Sequence, residues 1–465
     1  MPLPPMPVKQ QPAVIGRARR KQGLVMTAIS APLTSRRTGA LRGRVTVPGD
    51  KSISHRALML AALAIGETRI TGLLEGEDVL RTAAAMSALG AIITKDAPGT
   101  WRVSGVGIGG LQEPGDVLDM GNSGTAARLL CGLLAGHDLF AVLTGDASLR
   151  GRPMRRVTDP LAACGAQFWS REGGRLPLAI RGAREARPLD YTLPVASAQV
   201  KSALLLAALS APGVTRVHEP EPTRDHTERM LEHFGATLTI EPAGTGRIIH
   251  LTGQPELIAA PIVVPADPSS AAFPLVAALI VPGSAVTVLG VGLNPLRTGL
   301  LATLQEMGAD LTVENERTEG GECVGDVTAQ HGALQAVNVP AGRAPSMIDE
   351  YPILAIAAAF AQGTTRMAGL SELRVKESDR LAATLALLRV NGIEAMIEGD
   401  DLLVQGGSVP GGGLVQTHMD HRLAMSGLVL GLGAEKPVTV DDYQFIDTSF
   451  PGFVALLRGL GGALA

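Results

Sequence analysis

Six times along this chain an Ala/Leu-rich apolar run stops at a glycine and gives way to a short β-branched stretch. The glycines are Gly66, Gly136, Gly213, Gly283, Gly363 and Gly433, spaced 70, 77, 70, 80 and 70 residues apart. Such a period means one supersecondary unit used repeatedly, and it constrains the fold more than any single motif. A second series, Gly90, Gly165, Gly235, Gly308, Gly392 and Gly461, closes further helical patterns. Most are followed by Ala and an apolar strand, as in Gly308-Ala309-Asp310-Leu311-Thr312-Val313. Glycine after an amphipathic run is the expected helix stop, because it adopts φ > 0 at little cost. Each unit reads as strand, helix, strand, helix and one or two further strands. The chain is thus an α/β protein of six βαβαββ-type repeats.

Six units, and 465 residues, are too many for one core and suit two groups of three. The stretches "VTVPGDKS" at 45–52 and "IVVPADPSS" at 262–270 read as one passage written twice, as two crossovers between domains would. One domain is expected to span 49–265. The other, discontinuous, joins 42–48 to 266–465, with the functional site in the cleft between them.

The chain is 46% hydrophobic but only 3% aromatic, so Ala, Leu, Val and Ile must build closely packed cores. A net charge of −3 excludes attachment to nucleic acid by bulk electrostatics, and any anion site must be a local concentration of cations. Cys131, Cys164 and Cys323 have neither metal spacing nor a disulfide pattern, which fits a reducing cytoplasm. No apolar run reaches membrane-spanning length. Residues 1–41 are basic and Pro-rich (Arg17, Arg19, Arg20, Lys21, Arg36, Arg37) and lack the apolar core of a signal peptide. They are expected to be a disordered leader, with Met26 as an alternative start.

Polar residues precede each first-helix run: Lys51-Ser52 with Arg56, Asn122-Ser123-Gly124-Thr125 with Arg128, Ser197-Ala198-Gln199 with Lys201, Ser269-Ser270, Asp349-Glu350, and Asp420-His421-Arg422. Capping alone explains any one Ser, Asn or Asp. Cations there oppose the helix dipole, however, so Lys51, Arg56, Arg128 and Arg422 make sense around an anion. The loop "LTGDASLRGRPMRRV" at 143–157 adds Arg150 and Arg152, with Arg155 and Arg156 read as solvated, and "EPTRDHTERM" adds Arg224. The segment Arg374-Val375-Lys376-Glu377-Ser378-Asp379-Arg380-Leu381 reads as a helix start that puts Lys376 and Arg380 on one face with Glu377 beside them. Asp349, Glu350 and Glu377 are the acid–base candidates, and only one of the adjacent pair Asp349 and Glu350 is expected to reach a ligand.

"GDKSISHRA", "LDMGNSGTAARLL", "GRPM", "SAQVKSALLLA", "IDEYP", "RVKESDRL" and "DHRLAM" together resemble the 5-enolpyruvylshikimate-3-phosphate synthases, over the chain from about residue 42. The resemblance implies the enolpyruvyl transferase fold, a two-domain inside-out α/β barrel with three repeats per domain. It implies transfer of the enolpyruvyl group of phosphoenolpyruvate to the 5-hydroxyl of shikimate 3-phosphate, by addition–elimination through a tetrahedral intermediate. Shikimate 3-phosphate would be held by Lys51, Ser52, Arg56, Ser197, Ala198, Gln199, Arg224, Asp349 and Lys376. Phosphoenolpyruvate would be held by Lys51, Gly124, Arg152, Gln199, Arg380 and Arg422. Asp349 would take the hydroxyl proton, and Glu377 would handle the methylene proton with Lys51 assisting. No cofactor, metal, nucleic acid or membrane is implied, and a cytoplasmic monomer is expected. "SAQ", "SMIDEYP" and "RPM", with Thr448 where many relatives carry lysine, look like the second class of these enzymes. A methyl at Gly124 would crowd the phosphoenolpyruvate pocket, so glycine there leaves room for the inhibitor glyphosate. The sister enzyme acting on UDP-N-acetylglucosamine carries a reactive loop cysteine, and 148–156 has none. RNA 3′-phosphate cyclase, of related fold, would need a catalytic histidine, for which His421 alone is placed, and a nucleotide site.

Overall fold

The computed structural model describes residues 31–465. The basic stretch 1–30, with the alternative start at Met26, lies outside the described residues. Six helices form the centre of the molecule: Lys51–Leu63, Gly124–Ala135, Ala198–Ala208, Pro268–Ile280, Tyr351–Ala359 and His421–Gly433. Each is buried nearly all round. That is the composition rule at work, since a helix apolar on every face must sit inside a core. Their Ala and Gly residues let backbones approach closely. A Cβ on Gly132 would lie 2.1 Å from the Ala203 carbonyl oxygen of the neighbouring helix.

Six four-stranded sheets surround these helices. In the sheet of the second repeat, Leu118–Asp119 runs parallel to Phe140–Thr144, which pairs antiparallel with Arg175–Arg181, and that strand with Gln167–Arg171. The same order recurs in the other five, so each repeat is a βαβαββ unit as its pattern predicts. Three sheets take a strand from elsewhere. Arg42–Val45 pairs with Ala285–Gly292, far along the chain, whereas Ile262–Val263 pairs with Glu67–Thr71. The two look-alike passages thus follow exchanged first strands.

The third borrowed strand corrects the expected leader. Leu33–Arg36 completes the sixth sheet between Val438–Val440 and Ala463–Leu464. Leu33, Ser35 and Leu41 are buried, and the Leu41 N–H donates to Ser284 at 2.7 Å. A four-residue strand reading LTSR has too few apolar positions to show a period. The glycine rule also needs amending. All six of the second series and four of the first take positive φ. Gly136 stays at φ −82° and Gly433 is helical. There the requirement is space: a Cβ would meet the Ala207 carbonyl at 2.8 Å and the Phe360 ring at 2.8 Å, respectively.

The buried apolar residues fall into two large cores, one drawn from 53–264 and one from 271–464 together with Leu33, Leu41 and Val47. Cys131 and Cys164 are buried in the first, and burial pushes the Cys131 thiol up to about 12. No helix among the described residues is long and apolar enough to cross a membrane. Gly132→Ala, which forces the Gly124–Ala135 and Ala198–Ala208 helices apart, is expected to cost about 1–3 kcal/mol. A thermal melt checks this, and a midpoint equal to that of the wild type would contradict the close approach.

Candidate active site

The N-termini of the six central helices gather around one cavity of about 320 Å³. Five of these helices are capped by their own preceding side chain: Asp50 accepts from Ile53 N–H, Ser123 from Ala126, Ser197 from Val200, Asp267 from Ser269 and Asp420 from Arg422. The sixth, Tyr351–Ala359, is preceded by Glu350, which makes no such cap and pairs instead with Arg297. Nine cationic side chains line the cavity (Lys51, Arg56, Arg128, Arg152, Arg156, Arg224, Arg297, Lys376, Arg422), against six carboxylates (Asp78, Glu221, Asp267, Asp349, Glu372, Glu377). In a chain of net charge −3 this is the local concentration of cations an anion requires.

Asp349 sits at the centre of the cations. Its Oδ2 accepts from Arg224 Nη2 at 2.9 Å, and its Oδ1 lies 3.3 Å from both Lys376 Nζ and Arg380 Nη1. Its carbonyl oxygen accepts from Arg422 Nη1 at 3.0 Å. Glu377 pairs with Arg380 through Oε2, and its Oε1 is 3.8 Å from Arg152 Nη1. Arg152 is held in turn by Asn122, to which it donates at 2.7 Å. Lys51 pairs with Asp78. Arg128 donates to Gln199 Oε1 at 2.6 Å, and Gln199 Nε2 to Thr125 at 3.0 Å. Arg56 donates to Thr227 and Ser202, each at 2.7 Å, and to the Ser52 carbonyl at 2.9 Å.

The family model for EPSP synthase (3-phosphoshikimate 1-carboxyvinyltransferase) matches residues 35–457. The chain belongs to the EPSP synthase family. It is 69% identical over 438 residues to the 3-phosphoshikimate 1-carboxyvinyltransferase of Acidiphilium cryptum, covering 94% of this chain and 98% of that one. It is 72% identical over 439 residues to that of Granulibacter bethesdensis, covering 93% and 97%. The structure of EPSP synthase from Acinetobacter baumannii superposes with a TM-score of 0.83 at 44% identity, covering 93% of this chain and 99% of that one. The mixed α/β architecture described above is therefore the enolpyruvyl transferase fold.

The residues that the EPSP synthase motifs single out come together in this cavity, with one exception. Lys51, Ser52, Arg56, Gly124, Arg152, Ser197, Ala198, Gln199, Arg224, Asp349, Lys376, Glu377 and Arg422 all line it. Arg380 does not. It is 1% exposed and lies behind the wall, where it joins Asp349, Glu377 and Asp420. The helix expected across 374–381 begins only at Arg380, capped by Asp379. Lys376 and Arg380 therefore meet at Asp349 rather than along a helix face, because a 3-10 turn ends at Val375 and Lys376–Asp379 leaves helical geometry ahead of the cap. Asp379 and Arg374 do support this turn, through the cap and an Arg374–Asp400 pair at 2.9 Å. Arg156 is not merely solvated, since it lines the cavity and reaches Glu372 at 3.3 Å. The expected loop after Thr144 contains a short helix, Ala147–Gly151, which directs Arg152 inward. Thr448 is absent from the cavity wall and donates to the Phe445 carbonyl at 2.7 Å.

Arg128, Arg156, His226 and Arg297 are cavity residues that sequence reasoning left out of the site. Arg128 was visible as a cation near a helix start. Arg297 had no local signal, because its partners come from three distant segments: Asp50 at 3.2 Å, Asp267 at 2.9 Å and Glu350 at 3.4 Å.

Burial would push the Asp349 carboxyl up, but Lys376, Arg224, Arg422 and Arg380 hold it well below the usual range. Burial likewise acts to raise Glu377, and Arg380 and then Arg152, with Lys51, overcome it. The cations respond in the opposite sense. Burial, then Arg156 and Arg152, push Arg128 down to about 9, and burial takes Arg56 to about 10. Burial pushes His421 down to about 3, so it is a neutral ring. A Cβ on Gly124 would lie 2.9 Å from Arg152 Nη1 and 3.3 Å from Arg128 Nη1, so glycine leaves both guanidinium groups facing the cavity.

Arg297→Met would leave Asp50, Asp267 and Glu350 buried together without their cation. A loss of about 3–5 kcal/mol is expected in urea unfolding. A loss below about 1 kcal/mol would show that the guanidinium is not what balances these carboxylates.

Proposed function

We propose that this chain uses the cavity to transfer the enolpyruvyl group of phosphoenolpyruvate to the 5-hydroxyl of shikimate 3-phosphate. Phosphate is released, in the route towards chorismate and the aromatic amino acids. Its family membership carries the reaction. The observation that carries the residue roles is the placing of two separate carboxylates, Asp349 and Glu377, on one buried guanidinium, Arg380.

In this reading a proton goes to the methylene carbon of phosphoenolpyruvate, and the acceptor oxygen bonds to the neighbouring carbon, giving the tetrahedral intermediate. The carbon–phosphate oxygen bond then breaks, phosphate leaves, the methyl group loses a proton and the double bond re-forms. Asp349, between Lys376 and Arg224, takes the hydroxyl proton. Glu377, opposite Arg152, exchanges the carbon-bound proton with Lys51 nearby. Shikimate 3-phosphate contacts Lys51, Ser52, Arg56, Ser197, Ala198, Gln199, Arg224, Asp349 and Lys376 in this reading. Phosphoenolpyruvate contacts Lys51, Gly124, Arg152, Gln199 and Arg422, with Arg380 supporting from behind. Carboxylates this strongly held by cations are poor bases on their own. Two phosphates and two substrate carboxylates entering among the same cations offset that hold and raise the proton affinity of Asp349 and Glu377 when it is needed. The preorganised cations then act on charge as it develops.

The cavity draws on both segments of the chain, which supports domains of 49–265 and of 42–48 with 266–465, closing on the substrates between them. The same reading makes the enzyme a cytoplasmic monomer. Transfer to UDP-N-acetylglucosamine is disfavoured, because the 148–156 loop has no cysteine and Cys131, Cys164 and Cys323 all lie outside the cavity.

A coupled phosphate-release assay with each acceptor tests the reaction, and release with UDP-N-acetylglucosamine but not with shikimate 3-phosphate would overturn it. Asp349→Ala is expected to keep substrate affinity within about tenfold, roughly 1.4 kcal/mol, while turnover falls by about two to four orders of magnitude. Wild-type turnover would remove Asp349 from the mechanism. Lys376→Met is expected to weaken calorimetric binding of shikimate 3-phosphate by about tenfold or more, a charge-assisted bond of roughly 1.5–3 kcal/mol. Unchanged affinity would contradict its role.

A further inference from the structure

Arg224 reaches Asp349 at 2.9 Å from residues 220–225, a stretch that is neither helix nor strand. A side chain on such a stretch is only as well aimed as its backbone is held. Here the backbone is held from behind. The carbonyl oxygen of Thr223, in the peptide that leads into Arg224, accepts from Arg247 Nη2 at 2.8 Å and from Lys201 Nζ at 3.3 Å. The Thr223 hydroxyl donates to Glu219. Arg247 is itself fixed, its Nε donating to Glu219 Oε2 at 2.7 Å and its Nη2 lying 3.4 Å from Glu228 Oε1. Lys201 Nζ lies 3.0 Å from Glu219 Oε1 and 2.7 Å from Glu228 Oε1.

The four charged residues come from four elements: the helix Ala198–Ala208, the strand Val214–Glu219, the helix His226–His233 and the strand Gly246–Thr252. Lys201, Glu219 and Glu228 are buried, and the Arg247 side chain is 13% exposed. None of the four lines the cavity. Two cations and two carboxylates cancel, so the cluster adds no net charge to the site. Buried ion pairs are also a poor source of stability compared with apolar packing. What this cluster supplies is a fixed place for one backbone oxygen. The next residues along the two helices do the same for a second cation: Ser202, beside Lys201, and Thr227, beside Glu228, each accept from Arg56 at 2.7 Å. One helix pair thus aims two cavity arginines, Arg56 through its side chain and Arg224 through its backbone.

We propose that Arg247 is a positioning residue for the acceptor: with Lys201 it clamps the Thr223 carbonyl and so fixes the direction in which Arg224 enters the cavity. The proposal rests on the function given above, in which Arg224 contacts shikimate 3-phosphate, and deepens it by naming what aims that contact.

A double-mutant cycle tests it, because a residue that acts through Arg224 has nothing left to act on once Arg224 is gone. Arg247→Met is expected to raise the calorimetric Kd for shikimate 3-phosphate about tenfold and to leave the KM for phosphoenolpyruvate, at saturating acceptor, within about twofold. In an Arg224→Met background the same change is expected to move the acceptor Kd by less than about twofold. A general loosening of the fold would weaken both substrates and would add to the loss caused by Arg224→Met. Equal rises for both substrates, an unchanged acceptor Kd, or an equal effect in both backgrounds would therefore overturn the proposal. Should Arg247→Met fail to fold, Arg247→Lys decides alone, since one ammonium cannot reproduce the guanidinium fork across Glu219 and the Thr223 carbonyl. A rise in acceptor Kd of about threefold or more that disappears in the Arg224→Met background supports the clamp, and a smaller rise or one of the same size in both backgrounds overturns it. A wild-type enzyme that releases no phosphate from the two substrates ends the functional reading and the proposal together. A wild type that turns over normally beside an unaffected Arg247→Met enzyme ends the proposal alone.

Discussion

The close packing of buried, small-residue helices is the constraint on which the rest of this molecule depends. Ala and Gly at the contacts bring backbones together at a distance that a single methyl at Gly132 would forbid. Helices packed this tightly and surrounded by sheets cannot point their ends at random. All six deliver their N-termini to one cavity, so free N–H groups and dipoles are focused where cations are also concentrated. The low aromatic content belongs to the same constraint, since bulky rings at those contacts would push the helices apart and blunt the focus.

The charges at that focus are balanced by mutual opposition rather than by solvent. Arg380 stabilises the ionised forms of Asp349, Glu377 and Asp420 at once, while burial pulls each of them the other way. Arg128 and Arg56 lose proton affinity through burial among their like-charged neighbours. Both effects are relieved by incoming negative charge. The complementary ligand for this cavity is therefore an anion, and preferably more than one.

Much of this was legible in the residues because it is periodic or local. Six repeats, the second glycine series and most cavity residues followed from spacing and from polar residues at helix starts. What escaped was non-local or aperiodic. Leu33–Arg36 is a strand only because two distant strands leave a slot for it. Lys376 and Arg380 did converge, but through Asp349 and a broken turn rather than the shared helix face their spacing suggested. Arg297 and His226 were invisible because their partners come from remote segments, and no window of sequence contains them together.

The exchanged first strands have a mechanical meaning. Arg42–Val45 belongs to a sheet whose remaining strands lie beyond residue 284, and Ile262–Val263 to a sheet built from residues 67–104. The segment between them is consequently tied to the rest of the molecule by two covalent links instead of one. The two links lie side by side, Asp50 N–H donating to the Pro265 carbonyl at 2.8 Å and Asp267 N–H to the Pro48 carbonyl at 2.9 Å, so the chain enters and leaves the 53–264 core at one place.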